Sequence, residues 1–418
     1  MATNIRRQAK WVAACALVVV LMAGSCSPQT EPSSPTGPSS QASQPSRPTE
    51  PPTATPLPTL QFPSPEPTLR PGSGQASQAG SAALSPGETG QTATPIPTLA
   101  PSPSPTPVPT LRQLTEGGCC TQPFWSPDSQ QVLFIDRPAP DAPVGIWGVD
   151  VTQSDPTPEL VTERIAFYTA DMDFLVELGE DKTTIERLAD NARWTVPAEG
   201  RPVSISPGQK RIAWQVSDDD LPFERRMTQV WVANLDGTDA QAVATLPRGG
   251  FGGWISDDVL LLSGRETLES REHILYAFSL ARGRMIELVR AERLRGGLLS
   301  PDGAWLAYYV ALDEDPAQNG LWLVRTDGSE RRQLERDLFG AYQWRDASRL
   351  LIIPFQPEAV SHELWELDVN TGETRHLTDP DVIPFKIANG DWTVSPDGRH
   401  VAFVESRDRN IWLLTLMD

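Results

Sequence analysis

Histidine and cysteine are scarce in this chain, with four of each in 418 residues. His273, His362, His376 and His400 form no local cluster. No two cysteines are spaced C-x-x-C, which excludes zinc and thioredoxin-type sites. The patterns G-x-S-x-G, H-E-x-x-H and G-x-x-x-x-G-K are missing, so a serine-hydrolase elbow, a zincin helix and a phosphate loop have no sequence to build them. Basic residues are outnumbered, 35 against 54 acidic ones, for a formal charge of −19. Residues 1–112 hold four acidic and six basic side chains, which leaves 50 and 29 in the remainder, or −21. A domain this acidic repels phosphate backbones, which argues against nucleic acid as a partner. The N-terminal apolar run at 11–24 has 14 residues, short of the roughly 20 that span a bilayer.

Proline is abundant instead. Of 41 prolines, 22 fall between Pro28 and Pro109, in a stretch with little charge and one aromatic residue, Phe62. Such a segment buries too little apolar surface to offset its ordering entropy, which predicts a disordered Pro/Ser/Thr-rich linker over 26–110. In polyproline II form its contour would be about 260 Å. A spacer is the simplest reading; a ligand for proline-recognising domains and a glycosylated stalk are the alternatives. The 306 residues from 113 to 418 are enough for one large core and leave no length for a separate catalytic domain.

Arg6, Arg7 and Lys10 precede the apolar run, which ends Leu21-Met22-Ala23-Gly24-Ser25-Cys26. Small residues before a cysteine resemble the lipobox of bacterial lipoproteins. The resemblance implies a signal peptide over 1–25, cleavage after Ser25 and acyl chains on Cys26. The protein would then be extracytoplasmic and anchored to the cell membrane by several buried chains. Ordinary secretion and an uncleaved anchor are the alternatives.

Residues 111–418 repeat. Four copies of one turn each precede a short apolar run: Trp125-Ser126-Pro127-Asp128-Ser129, Ile205-Ser206-Pro207-Gly208, Leu299-Ser300-Pro301-Asp302-Gly303 and Val394-Ser395-Pro396-Asp397-Gly398. Degenerate copies lie at Trp254-Ile255-Ser256-Asp257-Asp258 and Trp344-Arg345-Asp346. Proline presets φ, aspartate binds nearby N–H groups and glycine takes the positive φ, so Asp128, Asp302 and Asp397 are read as structural turn residues between paired strands.

A second marker opens a later strand: Ile146-Trp147, Val230-Trp231, Leu275-Tyr276, Leu321-Trp322, Leu364-Trp365 and Ile411-Trp412. From Trp231 onward these recur every 43 to 47 residues, while Trp147 to Trp231 spans 84. A unit lacking the motif therefore belongs near 167–198. Asp236-Gly237, Asp327-Gly328 and Thr371-Gly372 mark a third turn, giving four strands per unit. Units of about 45 residues with four strands are the signature of β-propeller blades. The last unit ends on its third strand, and residues 111–115 copy the missing fourth. The expectation is an all-β, seven-bladed propeller closed by its N-terminal strand, with six or eight blades as alternatives.

The pattern W-S-P-D-G … I-A-F … I-W … L-T resembles the WD40-like repeats of TolB-type propellers and of propellers attached to prolyl oligopeptidases. The resemblance covers nearly all of 111–418, departs from the pattern near 167–198, and speaks to fold more than to function. The tight turns should share one face and the long connections the opposite one, which is the expected contact surface for an unknown protein, peptide or glycan.

Two acidic runs lie on the long connections, Asp218-Asp219-Asp220 and Asp313-Glu314-Asp315. Neither matches the twelve-residue calcium loop, so no metal or cofactor is expected. Adjacent Cys119 and Cys120 could form a vicinal disulfide or remain thiols in an oxidising compartment. The chain is expected to be monomeric and non-catalytic. The alternative is a carbohydrate-active or hydrolytic propeller using two channel carboxylates.

Overall fold

A computed structural model describes residues 109–118, 122–335 and 339–417. The linker, the signal segment with Cys26, and the Cys119–Cys120 pair lie outside the described residues.

The chain forms seven four-stranded antiparallel sheets. Blades 1 to 6 occupy residues 124–162, 167–196, 204–247, 250–291, 294–335 and 340–376, each with its strands in chain order across the sheet. Blade 7 takes three strands from 387–415, and its fourth is Thr110–Gln113, the first strand among the described residues. Leu111 pairs with Leu414 and Gln113 with Trp412. Beyond the strand, Leu114 N–H donates to Ile411 O (2.8 Å) and the Thr115 hydroxyl accepts from Ile411 N–H (2.9 Å). The ring is seven blades closed by the strand Thr110–Gln113, so the outer edge of blade 7 is covered.

First strands of adjacent blades bond to one another, which puts them at the axis. Trp125 Nε1 donates to Thr393 O (3.3 Å), Trp254 Nε1 to Ser204 O (3.1 Å) and Trp344 Nε1 to Leu298 O (3.0 Å). In blades 1, 4 and 6 the tryptophan before the turn thus clasps the preceding blade.

Strand alternation builds the core between blades. On the second strand of blade 5, Leu306, Tyr308 and Val310 pack toward blade 4, while Trp305, Ala307 and Tyr309 pack toward blade 6. Both faces are covered, so the strand is apolar throughout. Similar clusters join blades 2 and 3, 3 and 4, 6 and 7, and 7 and 1. The aliphatic–aromatic marker coincides with a bulge between the third and fourth strands: register shifts occur at Ile146/Trp147, Val230/Trp231, Leu275/Tyr276 and Leu321/Trp322.

The unit near 167–198 is blade 2, and its turn is a disguised copy of the motif. Thr169 N–H and its hydroxyl do the work of serine: the hydroxyl donates to Asp171 and accepts from Phe174 N–H (3.1 Å). Ala170 replaces proline, and Met172 takes the left-handed position at φ 55°.

Candidate functional site

The turns of one face are built alike. In blade 1 the Ser126 hydroxyl donates to Asp128 Oδ1 (2.6 Å) and accepts from Gln131 N–H (2.9 Å), while Asp128 also accepts from Gln130 N–H (3.1 Å). Blades 5 and 7 repeat this with Ser300–Asp302 and Ser395–Asp397. The Ser126 and Gln130 bonds hold the Asp128 carboxyl below its usual range. Burial pushes Asp302 up, but its bonds from Ser300 and Ala304 outweigh that and the net shift is downward. These aspartates spend their lone pairs on the turn.

The opposite face carries the longer connections, between second and third strands and between blades. The six most exposed large apolar side chains among the described residues all lie there: Leu312 (79%), Val360 (78%), Phe355 (72%), Val382 (64%), Val144 (50%) and Phe223 (48%). Their loops are held by specific bonds. His362 N–H donates to Phe385 O (2.7 Å), Ile387 N–H to His362 Nδ1 (3.3 Å) and Lys386 Nζ to Ala359 O (2.9 Å), which ties the loop of Val360 to that of Val382. Buried Phe385 anchors the second loop against His362 and Phe403. Leu312 sits at φ 58°, a left-handed conformation unfavourable for leucine, yet points into solvent.

The acidic runs are part of the loop scaffolds. Asp218 accepts from Asp220 N–H (3.2 Å), and Asp219 pairs with Arg226 (3.4 Å). Asp313 accepts from Asp315 N–H (3.0 Å), and Asp315 caps the 3-10 turn Pro316–Gln318. Among the described residues no three His, Cys, Asp or Glu side chains gather as a metal cluster.

Along the axis, the described first strands carry two charged residues, Arg295 and Asp391. Burial pushes the Asp391 carboxyl up, against the pull of Arg409. No second carboxylate shares those strands with it. A cavity of about 600 Å³ opens on the tight-turn side, against Pro207, Asp257, Asp258 and Asp302. Asp257 accepts from Gly208 N–H (2.6 Å), Asp258 pairs with Arg211, and Asp302 is used in its own turn.

One group on the long-loop face carries no motif in the sequence. His273 opens the third strand of blade 4, with its Nε2 buried and unpartnered. Burial, then the charges of Arg265, Arg295 and Arg248, push its pKa down to about 4. None of these three arginines forms an ion pair among the described residues.

No family model matches the chain, and no curated protein matches it. Solved structures do. An oligogalacturonate lyase in complex with manganese is 14% identical over 75% of this chain and 97% of that one, with a TM-score of 0.53. A putative TolB from Agrobacterium tumefaciens is 16% identical over 72% and 91%, with a TM-score of 0.34. The propeller domain of the Trilobed protease from Pyrococcus furiosus is 16% identical over 57% and 77%, with a TM-score of 0.42. At such identity the likeness to the lyase shows the fold alone: a β-propeller.

Proposed function

We propose that this chain is a non-catalytic binding module that captures a protein or peptide on its long-loop face. It is displayed outside the cytoplasm on the Pro/Ser/Thr-rich spacer and tethered by acyl chains on Cys26. One observation carries the reading: the most exposed apolar side chains are gathered on the loops of a single face and held in place there. Exposed apolar groups on a rigid scaffold mark contact surfaces, and pre-ordered loops lower the entropic cost of association. Apolar tips favour a protein or peptide over a glycan. A glycosidase mechanism would need two carboxylates about 5–10 Å apart, and Asp391 stands without a second one on the described first strands.

The test is affinity capture from surface-labelled cells with the full chain and with Phe355→Ser/Val360→Ser. A partner retained by the parent and lost by the variant supports the reading. Glycan cleavage by the parent, with no partner retained, overturns it in favour of a carbohydrate-active propeller.

A further inference from the structure

The globular part carries a charge of −21, yet three arginines gather beside one histidine. Gly264 pairs with Ile274, which sets Arg265 across from His273. Arg265 N–H donates to Pro247 O (2.9 Å), which sets Arg248 beside Arg265, and the charge of Arg295 also reaches the imidazole. None of the three arginines forms an ion pair among the described residues. Arg248 lies on the crossing from blade 3 to blade 4, Arg265 just after the second strand of blade 4, and Arg295 on the axial strand of blade 5. All three belong to the long-loop side, at the rim of the axis.

Each arginine is positioned by the backbone, which leaves other donors of its guanidinium unused. Arg248 donates from NH1 to Leu268 O (3.4 Å) and lies over the exposed Phe223 ring (5.7 Å), with its Nε buried and unpartnered. Arg265 donates to Ser270 O. Arg295 donates to the adjacent Leu294 O (3.2 Å) and remains exposed. Glu292 is the carboxylate whose field reaches Arg265, after burial and after the opposing charge of Arg248. Three like charges around a buried, unpartnered imidazole nitrogen raise the free energy of the protein. A bound anion relieves that repulsion and supplies acceptors to the unused donors. Phe223 places apolar surface beside the charge.

We propose that Arg248, Arg265, Arg295 and His273 form a receptor for a carboxylate of an acidic peptide segment, with Phe223 contacting an apolar neighbour of that carboxylate. The assignment rests on the long-loop face being the binding surface. Peptide is favoured over other carboxylate sources because charge and exposed apolar side chains lie together, as acidic and apolar residues do in one peptide.

The test uses the full chain and the labelled synthetic peptide acetyl-Leu-Glu-Glu-Leu-amide, read by fluorescence anisotropy, against its Leu-Gln-Gln-Leu counterpart. The Glu peptide should bind at least about tenfold more tightly, and Arg248→Gln and Arg265→Gln should each remove most of that preference. The His273 imidazole, followed by NMR, should titrate at higher pH when the Glu peptide is bound, because a carboxylate stabilises its charged form. Equal affinity for the two peptides, or variants that fold normally and keep the preference, would overturn the receptor. Tighter binding of an oligogalacturonate probe than of the peptide would overturn the assignment to peptide. Loss of the receptor alone leaves capture through Phe355 and Val360 intact, so its failure is distinguishable from failure of the binding-module reading.

Discussion

The carboxylate of Asp257 occupies the place that a side chain at Gly208 would fill. Gly208 N–H donates to Asp257 Oδ1 (2.6 Å), and a Cβ on Gly208 would collide with the same carboxylate. Blade 3 lacks the turn aspartate that blades 1, 5 and 7 carry, and blade 4 supplies one from its own turn. Restoring the motif with Gly208→Asp should therefore destabilise the protein, by about 1–3 kcal/mol for overpacking alone. Adding Asp257→Ser should recover most of the loss. A double-mutant cycle in urea reads the coupling, and additive effects would show that the two positions do not compete.

The closure of the ring gives a second prediction. Removing residues 110–115 uncovers the third strand of blade 7 and the cluster around buried Leu114. The melting temperature should fall by several degrees. The milder Thr115→Val removes the hydroxyl acceptor from the buried Ile411 N–H and should cost about 1–3 kcal/mol. Unchanged thermal denaturation of the deletion would refute closure by this strand.

A buried ion pair within blade 6 carries a hydrogen bond across to blade 7. The Arg345 guanidinium is 1% exposed, pairs with Glu366 and donates to Gly398 O (2.8 Å). Glu366→Ala leaves that charge buried without its carboxylate and should cost about 3–5 kcal/mol. Arg345→Met with Glu366→Leu should be much milder, and both are read from denaturant midpoints.

Acid should loosen the turns. Asp128, Asp171 and Asp302 all have carboxyls held below their usual value. A group whose pKa is lower in the folded state contributes stability above its unfolded value, and that contribution is lost as pH falls through the folded one. Stability should decline below about pH 4. Asp302→Asn should lower stability at neutral pH and flatten that decline, as thermal melts across the acid range would record.

Tethering is tested by Cys26→Ala, which should move the protein from the membrane fraction to the soluble one. Retention would point to an uncleaved apolar anchor.

Much of the ring was legible because its markers are local. Ser, Pro, Asp and Gly within five residues define a turn, and alternation defines the strands beside it. Blade 2 was harder, since Thr169-Ala170-Asp171 keeps the hydroxyl and the carboxylate that make the turn but not the letters that advertise it. The aspartate serving blade 3 comes from 49 residues away. The arginines around His273 span Arg248 to Arg295, and only the stacking of blades 3, 4 and 5 brings them to one rim. Contacts between blades leave no periodic trace in sequence, which is why the fold and the face of the long loops were readable and the arginines around His273 were not.

The most direct test of the long-loop face as the binding surface is site-specific photocrosslinking in cells. Benzoylphenylalanine would replace Leu312, Phe355 or Val360 on that face, and the exposed Gln130, Lys210 or Arg399 on the tight-turn face. The expected result is a discrete crosslinked partner from the first three positions and none from the others. Crosslinks arising mainly from the tight-turn positions, beside the cavity at Asp257 and Asp302, would contradict the account.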